Sequence, residues 1–374
     1  MRDQDQRDKH TRYWDATAWV SPSADGLAEA KAEEAIAEAA QVLAGGGTVA
    51  FPTETVYGLG GDARSTEAVE NIFKAKGRPS DNPLIVHIAE ESQLAELVTE
   101  VNDTARRLMA EFWPGPLTLV LPVRPGAVSP RVTAGLSTVG VRMPDHAVAL
   151  RLIAAAGCPV AAPSANRSGR PSPTLASHVG EDLDGAIDGI VDGGPTGVGL
   201  ESTVVECGAD GMVTVLRPGG ITVEELARVA ASVQLDPALE SGGGGEAPAR
   251  PKAPGMKYTH YAPSGSLRIV MGASQEAVAA RIQAELDAAN ARGEVTGILA
   301  FEEHLAKYHG AHTMLSLGSL AAPETAAQRL YAALRQFDEA GATYMLAEAC
   351  PEEGLGAAVM NRLLKAAGHE VIYV

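Results

Sequence analysis

The segment Gly45-Gly-Gly-Thr-Val-Ala-Phe-Pro52 separates two kinds of local sequence, and the alternation that it begins decides the fold. Before it, residues 28–44 are rich in alanine and glutamate and contain no helix breaker, which predicts a helix that the glycines end. After them, Thr48–Phe51 reads as a short strand closed by Pro52. A helix followed closely by a strand indicates an α/β or α+β chain.

The same alternation continues to about residue 230. Short apolar runs predict strands at Leu84–Ile88, Leu117–Val123, Thr138–Arg142, Val160–Ala162, Ile187–Val191, Ser202–Glu206 and Val213–Arg217. Helical patterns cover Thr66–Ala75, Ser92–Leu97, Asp103–Phe112, Ala147–Ala156 and Thr222–Ala230. Because some of these strands follow one another without a helix between them, we expect a mixed sheet rather than a wholly parallel one.

Residues 231–255 interrupt the pattern with the flexible Ser241-Gly-Gly-Gly-Gly245 and a proline-rich stretch at 247–254. The tail then predicts strands at Leu267–Met271, Thr296–Ala300, Thr313–Leu317 and Thr343–Leu346, and helices at Gln275–Ala291, Thr325–Ala340 and Ala357–Ala367. The expected layout is a flexible N-terminal arm (1–26), a catalytic domain with a mixed twisted sheet and flanking helices (27–232), a linker or lid (233–265) and a smaller, Rossmann-like α/β domain (266–374).

The composition narrows the class of protein. A net charge of −17 argues against a chain held to nucleic acid or membrane by its overall field, although it leaves room for a local basic pocket. No apolar run reaches the roughly 18 residues of a membrane span, and the first ten residues are too charged for a signal peptide. Three scattered cysteines suit a reducing compartment and exclude a cysteine-rich zinc site. We therefore expect a soluble cytoplasmic protein.

The loop after the first strand, Phe51-Pro-Thr-Glu-Thr-Val-Tyr-Gly-Leu-Gly60, is dense in hydroxyl groups. At the carboxyl end of a strand, these hydroxyls and the backbone amides are positioned to meet a ligand. An ordinary threonine-rich loop is an equally good interpretation. The glycines lie too far beyond the strand for a dinucleotide-binding fingerprint, which we reject.

A second segment, Lys74-Ala-Lys-Gly-Arg-Pro-Ser-Asp-Asn-Pro83, presents Lys76 and Arg78 from a stiffened loop. A point charge beside a bidentate fork suits a polyphosphate. The alternative is a solvated helix end, where basic residues are favourable. The sequence contains no Walker motif, which excludes a P-loop enzyme.

A third segment, Ala161 to Pro173, places Ser164, Asn166 and Ser172 in a loop stiffened by proline and glycine. It suits either a nucleotide held by hydrogen bonds or a capped turn before a helix. We do not expect Ser164 to be a covalent nucleophile, since no Gly-x-Ser-x-Gly elbow surrounds it.

Single residues add two further observations. Arg142 ends an apolar strand, and a buried guanidinium requires an anionic partner, either a structural carboxylate or a substrate. His309 and His312 lack a third metal ligand, so we do not expect them to bind a metal ion.

Together these segments resemble the threonylcarbamoyl-AMP synthase family, whose chemistry resides in a YrdC-like domain. The resemblance rests on Phe51–Leu59, Lys76–His87, Ala162–Asn166 and Glu201–Val204, which occur in the family's order. It covers about residues 30–230 and continues through Pro254–Pro263 into the tail, which marks the long, two-domain form.

The resemblance implies a nucleotidyltransferase that forms L-threonylcarbamoyladenylate and pyrophosphate from L-threonine, bicarbonate or CO2, and ATP. Mg2+ would be held mainly by the phosphates, without a metal ligand from the protein. The product would pass to a tRNA threonylcarbamoyltransferase for threonylcarbamoyladenosine modification of tRNA. Residues implied in threonine binding are Thr55, His87, Arg142, Ala162 and Ser202. Those implied in ATP binding are Arg78, Asn82, Thr138, Ser164, Ser172, Arg217 and Tyr261, with Lys76 and Arg78 as catalytic residues. A connector carrying Lys257, Tyr258 and Tyr261 would close over the site as a lid.

Two other functions compete with this interpretation. A YrdC-like module that binds double-stranded RNA or the ribosome without adenylation is the main alternative, and the net charge counts against it. Weak RNA contact remains compatible with the enzyme. A carbamoyltransferase of hydrogenase maturation contains a related domain, but it requires a cysteine-rich zinc region that three isolated cysteines do not supply.

Overall fold

The computed structural model describes residues 9–21, 26–240, 251 and 261–374. They form two compact units. The first comprises the described residues of 1–168, 172–197 and 201–257, and the second those of 169–171, 198–200 and 258–374. These groupings interleave along the chain, so the boundaries expected at 26, 232 and 265 stay a prediction. Within the described ranges, no helix combines the length and the apolar character needed to cross a membrane.

The first unit is built on a sheet that has eleven strands among the described residues. In chain order they are β1 (Arg12–Asp15), β2 (Val49–Phe51), β3 (Gly58–Asp62), β4 (Ile85–His87), β5 (Leu117–Pro122), β6 (Thr138–Arg142), β7 (Val160–Ala161), β8 (Gly189–Asp192), β9 (Thr203–Cys207), β10 (Met212–Arg217) and β11 (Ser232–Leu235). They lie in the order β1-β8-β2-β3-β7-β4-β6-β5-β9-β10-β11. β6 runs parallel to β4 and antiparallel to β5, which confirms the predicted mixed sheet.

Helices flank this sheet. They are α1 (Gly26–Ala44), α2 (Thr66–Lys76), α3 (Leu94–Leu97), α4 (Asp103–Phe112), α5 (Pro130–Thr133), α6 (Ala147–Ala156), α7 (Ala176–Leu183), α8 (Val223–Leu226) and α9 (Pro237–Glu240). The sequence sets both ends of α2. The Ser65 hydroxyl caps the first turn by accepting from the Ala68 amide, and Gly77 ends the helix at a φ of 60°. α1 packs against α6 through buried aliphatic side chains such as Ile36 and Leu152.

The second unit is a parallel sheet covered by helices. Its strands are β12 (Ser266–Met271), β13 (Thr296–Ala300), β14 (Thr313–Ser316), β15 (Tyr344–Glu348) and β16 (Val371–Tyr373), in the order β14-β13-β15-β12-β16. Its helices are α10 (Gln275–Ala291), α11 (Pro323–Glu339) and α12 (Leu355–Ala366). Every pairing within this sheet is parallel, which confirms the predicted Rossmann-like α/β architecture. The sequence analysis missed β16, which is only three residues long.

Strand β3 corrects the sequence analysis, which treated the whole of 51–60 as a loop. Glycine-rich Gly58–Asp62 pairs with β2 on one side and β7 on the other. A Cβ at Gly60 would lie 2.8 Å from both Phe51 Cε1 and Val160 Cγ1, so only glycine allows this close approach. Glycines disfavour strands in isolation, and the packing that overrides this preference is not visible in the sequence.

The described part of the N-terminal arm is also more ordered than expected. Arg12–Asp15 forms β1, an edge strand parallel to β8. Trp14 is buried, and its indole N–H donates to Glu38 of α1 at 2.9 Å. The prediction of a loose arm is therefore wrong for these residues. The other differences include β11, α5, α7 and α9, which were not predicted, and α8, which ends at Leu226 rather than Ala230.

Candidate active site

The loop that follows β2 is held by its own hydroxyl groups. The Thr53 hydroxyl donates to the Val56 carbonyl at 2.7 Å and accepts from the amides of Thr55 and Val56. It also lies 2.8 Å from the Thr55 hydroxyl. This local turn is the reason why threonine suits the segment, and it fixes Thr55 in a buried position.

Arg142 is the centre of the polar cluster at this loop. It ends β6, is buried, and spreads its guanidinium over three partners. Nη1 donates to the Thr55 hydroxyl at 2.9 Å, Nε donates to the Gly115 carbonyl at 3.3 Å, and Nη2 pairs with Glu54 Oε2 at 2.5 Å. The structural carboxylate that the sequence analysis left open is therefore present, and it is Glu54.

His87 lies beside Arg142 because β4 and β6 run in parallel register, with the two residues as Cα partners. Burial, with a smaller contribution from the neighbouring Arg142 charge, lowers the pKa of His87 to about 3. The ring is thus neutral at physiological pH, and it meets the edge of Phe51 at a centroid distance of 6.2 Å. A neutral imidazole beside a guanidinium can hydrogen-bond a substrate without adding charge.

Ala162 completes this cluster from the neighbouring strand. It follows β7, which pairs with β4, and its amide donates to the Ile85 carbonyl at 2.9 Å. Its methyl group lies against Gly58, where an added Cβ would come within 3.3 Å. The site therefore offers a small apolar wall next to its polar groups.

Three residues near Arg142 were missed by the sequence analysis: Glu54, Asp145 and His146. Burial and the charge of Glu54 raise the pKa of Asp145. Burial lowers the pKa of His146, although Glu54 acts in the opposite sense, and neither ring nitrogen of His146 has a hydrogen-bond partner among the described residues. The only signal in the sequence was the general need of a buried arginine for an anion.

Lys76 does not project freely from its loop. It is buried, and Nζ donates to the carbonyl oxygens of Ser164 and Asn166, each at 2.5 Å. The Ser164 hydroxyl in turn donates to Asn166 Oδ1 at 2.6 Å. Lys76 thus ties the basic segment to the serine and asparagine segment, and its predicted role at the phosphates stays a prediction.

Arg78 and Asn82 lie on the same loop. Arg78 is half-buried, and Nη2 donates to the Pro83 carbonyl at 3.5 Å. Asn82 is only 1% exposed, yet neither atom of its amide group has a hydrogen-bond partner among the described residues. A buried amide without partners is costly, so this position is suited to a bound ligand.

Ser202 joins the cluster through the next strands. Arg217 Nη2 donates to the Ser202 carbonyl at 2.9 Å and to its hydroxyl at 3.1 Å, and the hydroxyl lies 2.7 Å from that of Thr118. The Thr203 amide donates to the Pro116 carbonyl, next to the Gly115 carbonyl that Arg142 contacts. Arg217 therefore holds Ser202 in place through these two hydrogen bonds. Its predicted contact with ATP stays a prediction.

The remaining predicted residues are more scattered. The Ser172 hydroxyl is fully buried and donates to Glu201 Oε1 at 2.6 Å. Thr138 begins β6, roughly 13 Å along the strand from Arg142 at its other end. Tyr261 belongs to the second unit, where its ring lies 5.1 Å from that of Tyr331. The predicted lid residues 257 and 258 and the glycine run 241–245 lie outside the described residues.

Two groups of predicted residues are thus brought together. The first is Thr55, His87, Arg142 and Ala162, with Ser202 next to it. The second is Lys76 and Ser164. An isolated antiparallel β-bridge joins Ser164 to Gly58, which lies against Ala162 of the first group. His309 and His312 take no part, and the described residues contain no cluster of three or more His, Cys, Asp or Glu side chains that could hold a metal ion.

Two family models match the chain. The Sua5_yciO_yrdC model, described as "Telomere recombination", matches residues 41–219. The model described as "Threonylcarbamoyl-AMP synthase, C-terminal domain" matches residues 221–368. A threonylcarbamoyl-AMP synthase of Bacillus subtilis (strain 168) is 53% identical over 337 residues, which cover 90% of this chain and 94% of that protein.

The chain belongs to the threonylcarbamoyl-AMP synthase family, in its long two-domain form.

Other members of the family agree. The threonylcarbamoyl-AMP synthase of Pyrococcus abyssi (strain GE5 / Orsay) is 46% identical over 90% of this chain and 95% of that protein. The structure described as "Crystal structure of P. abyssi Sua5 complexed with L-threonine" matches with a TM-score of 0.85 and 45% identity, covering 91% of this chain and 96% of that one. The fold expected from the resemblance is thereby confirmed. Relatives named as synthases favour the enzyme over an RNA-binding module.

Proposed function

We propose that this chain forms L-threonylcarbamoyladenylate and pyrophosphate from L-threonine, bicarbonate or CO2, and ATP. One observation carries the proposal. This chain belongs to the family, and its buried Arg142, the Thr55 hydroxyl and the neutral His87 ring meet at the carboxyl ends of β4 and β6. That combination suits a small zwitterion with a carboxylate and a hydroxyl. The Pyrococcus abyssi relative was solved with L-threonine, which supports this assignment.

Arg142 would hold the threonine carboxylate. Its guanidinium now pairs with Glu54, so a substrate carboxylate must share or replace that partner. Thr55, which already contacts Nη1, and the neutral His87 are the nearby groups for the threonine hydroxyl and amine. Amino acids that lack the hydroxyl would leave a buried polar group unpaired. The enzyme would therefore discriminate against them by up to about 10⁴-fold in kcat/KM.

The nucleotide would bind at the loop that follows Lys76, which carries Arg78 and Asn82. Arg78 supplies a cation, and the buried amide of Asn82 supplies hydrogen bonds that have no protein partner among the described residues. Lys76 fixes the Ser164 and Asn166 segment through its two carbonyl oxygens, which would hold this wall of the nucleotide site in place. Thr138, Ser172, Arg217 and Tyr261 stay predicted ATP contacts.

Mg2+ fits this site as a partner of the phosphates. The donors here are guanidinium, amide and hydroxyl groups, which suit phosphate oxygens rather than a protein cage for a divalent cation. When bound, Mg2+ would neutralise charge on the triphosphate. Every other contribution comes from the side chains described above.

The reaction follows from positioning. When bicarbonate is the source, it takes up a proton and loses water to give CO2. The threonine amine bonds to CO2 and loses a proton to solvent, which gives a carbamate. A carbamate oxygen then bonds to the α-phosphorus while the bond from that phosphorus to the pyrophosphate oxygen breaks. Such a transfer depends on alignment and charge neutralisation and needs no covalent enzyme intermediate, which makes the enzyme a nucleotidyltransferase. The product would serve a tRNA threonylcarbamoyltransferase in the cytoplasm.

The test measures pyrophosphate release by the full chain with ATP, L-threonine and bicarbonate, and with each of the last two omitted in turn. We expect release only in the complete mixture. Release that persists without L-threonine or without bicarbonate contradicts the proposed function. Replacing L-threonine by L-serine, which lacks the methyl group, and by L-valine, which lacks the hydroxyl, measures how much each group contributes to pyrophosphate release.

A further inference from the structure

The parallel sheet of the second unit contains a crevice of the kind that binds ligands in open α/β folds. β12 and β15 are neighbours, and the chain leaves β12 for α10 but leaves β15 for α12. In such sheets, ligands bind beyond the carboxyl ends of two adjacent strands whose connections go to opposite faces.

The two connections do lie on opposite faces. Val278 of α10 packs with Val270 and Ile298 on one side of the sheet. On the other side, a Cβ at Gly297, the residue before Ile298, would lie 2.6 Å from Phe337 of α11. α12 packs against α11 and therefore shares that second face. The switch point thus falls between β12 and β15.

A cavity of about 580 Å³ occupies this position. Its walls include the ends of β12 and β15 and the segments that follow β12, β13 and β15, with Gly272, Phe301 and Cys350 among the lining residues. This volume lies within the range of about 300–1,000 Å³ that small-molecule sites typically have. All of its lining residues belong to the second unit, and none of them is a residue proposed to bind threonine or ATP.

A buried glutamate organises the floor of the cavity. Glu348 ends β15, and its side chain is 3% exposed. Oε1 accepts from Gln275 Nε2 at 2.7 Å and from the Tyr308 hydroxyl at 2.5 Å, and Oε2 accepts from the Phe301 amide at 3.0 Å. A buried carboxylate is costly to keep, and here its donors come from α10 (Gln275) and from the connection between β13 and β14 (Phe301 and Tyr308).

His304 is the fourth partner of this carboxylate, and it lines the cavity. Its Nδ1 lies 3.0 Å from Glu348 Oε2. Because the carboxylate only accepts, Nδ1 must carry the proton, and in the neutral ring Nε2 is then an acceptor. His304 lines the cavity, its side chain is 15% exposed, and none of the described residues hydrogen-bonds to Nε2.

The charge of the lining selects against anions. The described lining residues include Glu348 and Glu352 but no lysine or arginine. Burial raises the pKa of Cys350 to about 12, so this thiol adds no charge and no nucleophilic thiolate. Val270, Val278 and Phe301 supply an apolar surface beside the polar groups.

We propose that the crevice between β12 and β15 binds an unphosphorylated small molecule with an apolar body and a hydroxyl or ammonium group, which donates a hydrogen bond to His304 Nε2. The acidic, arginine-free lining disfavours phosphates and carboxylates. An alcohol and an amine share the donor chemistry that His304 recognises, and the experiment below distinguishes them.

The test uses the full chain with ¹³C-labelled histidine and follows the imidazole Cε1–H resonances of its nine histidines by NMR. His304→Gln assigns the resonance of His304. The probes share one ring and differ in the polar group: phenethylamine, 2-phenylethanol, phenylacetate and phenyl phosphate. We expect the His304 resonance to shift saturably with phenethylamine, with 2-phenylethanol or with both at millimolar concentration, and at least about tenfold more weakly with the two anions.

Calorimetric titration with the probe that binds checks the role of the histidine. His304→Gln should weaken that probe about tenfold, the cost of losing one hydrogen bond in a buried site, while the exposed Glu353→Gln, outside the lining, should leave its affinity unchanged. Three results would overturn the proposal: no saturable shift with either neutral or cationic probe, equal affinity for the anions, or equal affinity in His304→Gln.

Discussion

At the scale of single residues, the candidate site combines a charged arginine whose guanidinium contacts several protein groups with a histidine that is uncharged. Arg142 has partners on all three guanidinium nitrogens, and His87 beside it is held neutral by burial. The sequence could indicate these residues, because a buried arginine and a motif histidine are visible in it. It could not indicate Glu54 as the partner, since that contact depends on how the loop after β2 folds back.

Arg142→Lys should raise the KM for L-threonine by about tenfold to a hundredfold, because lysine keeps the charge but loses the bidentate geometry. The KM for ATP should change much less. Steady-state kinetics with each substrate varied in turn provides the measurement. Arg131→Lys, an exposed arginine paired with Glu70, serves as the control. Equal changes in both KM values would refute the carboxylate role of Arg142.

Glu54→Gln should lower the stability of the ligand-free enzyme by about 3–5 kcal/mol, because it leaves the buried Arg142 without its anion. L-threonine brings a carboxylate to the same guanidinium, so it should raise the melting temperature of the variant more than that of the wild type. Differential scanning fluorimetry with and without L-threonine measures both effects. An equal shift in the two proteins would show that the substrate does not take the place of Glu54.

His87 predicts a specific dependence of stability on pH. Its folded-state pKa, about 3, lies below the unfolded value, so between pH 6.5 and 3 the unfolded state binds a proton that the native state excludes. This group therefore destabilises the fold as pH falls below about 6.5, by up to about 1.4 kcal/mol per pH unit. Above that pH it contributes no slope.

Urea unfolding at pH 6.5 and at pH 5.5 checks this expectation. His87→Gln should reduce the loss of unfolding free energy between the two pH values by most of that amount. The exposed His309→Gln should retain the wild-type difference. If His87→Gln retains it too, His87 is not held neutral.

At the scale of elements, register brings the site together. His87 and Arg142 meet because β4 and β6 are parallel neighbours, and Ala162 joins them because it follows β7, which pairs with β4. Most of these strands were predicted from apolar runs, and their ends differ from the observed ones by a few residues. The order of the strands determines that these three residues lie together, and this order was not predictable from local sequence.

Strand β3 shows where local preference fails. Its glycines carry no signal for a strand, and its place is set by the space between Phe51 and Val160. Gly60→Ala should therefore destabilise the first unit by about 1–3 kcal/mol through overpacking. Chemical denaturation measures this cost. Gly26→Ala, at a position with nothing within 4 Å of the added Cβ, should cost far less, and equal losses would contradict the explanation.

At the scale of the whole molecule, the two units have separate sheets and separate proposed ligands. The net charge of −17 is spread over a chain whose candidate site concentrates arginine and lysine, so overall charge says little about the local field. Composition could exclude classes of protein, and the ordered motifs could indicate the family. Neither could indicate the cavity at Glu348, because its lining comes from four separate segments of the tail, within 270–278, 301–304, at 320 and within 348–352.

The proposed reaction requires Arg142 to hold the threonine carboxylate away from ATP, so that only the carbamate reaches the α-phosphorus. Incubation of the full chain with ATP, L-threonine and ¹³C-bicarbonate, followed by mass spectrometry of the adenylates, tests this most directly. We predict threonylcarbamoyl-AMP that carries the heavy carbon. Threonyl-AMP, formed by the carboxylate itself and free of the label, or no adenylate at all, would contradict it.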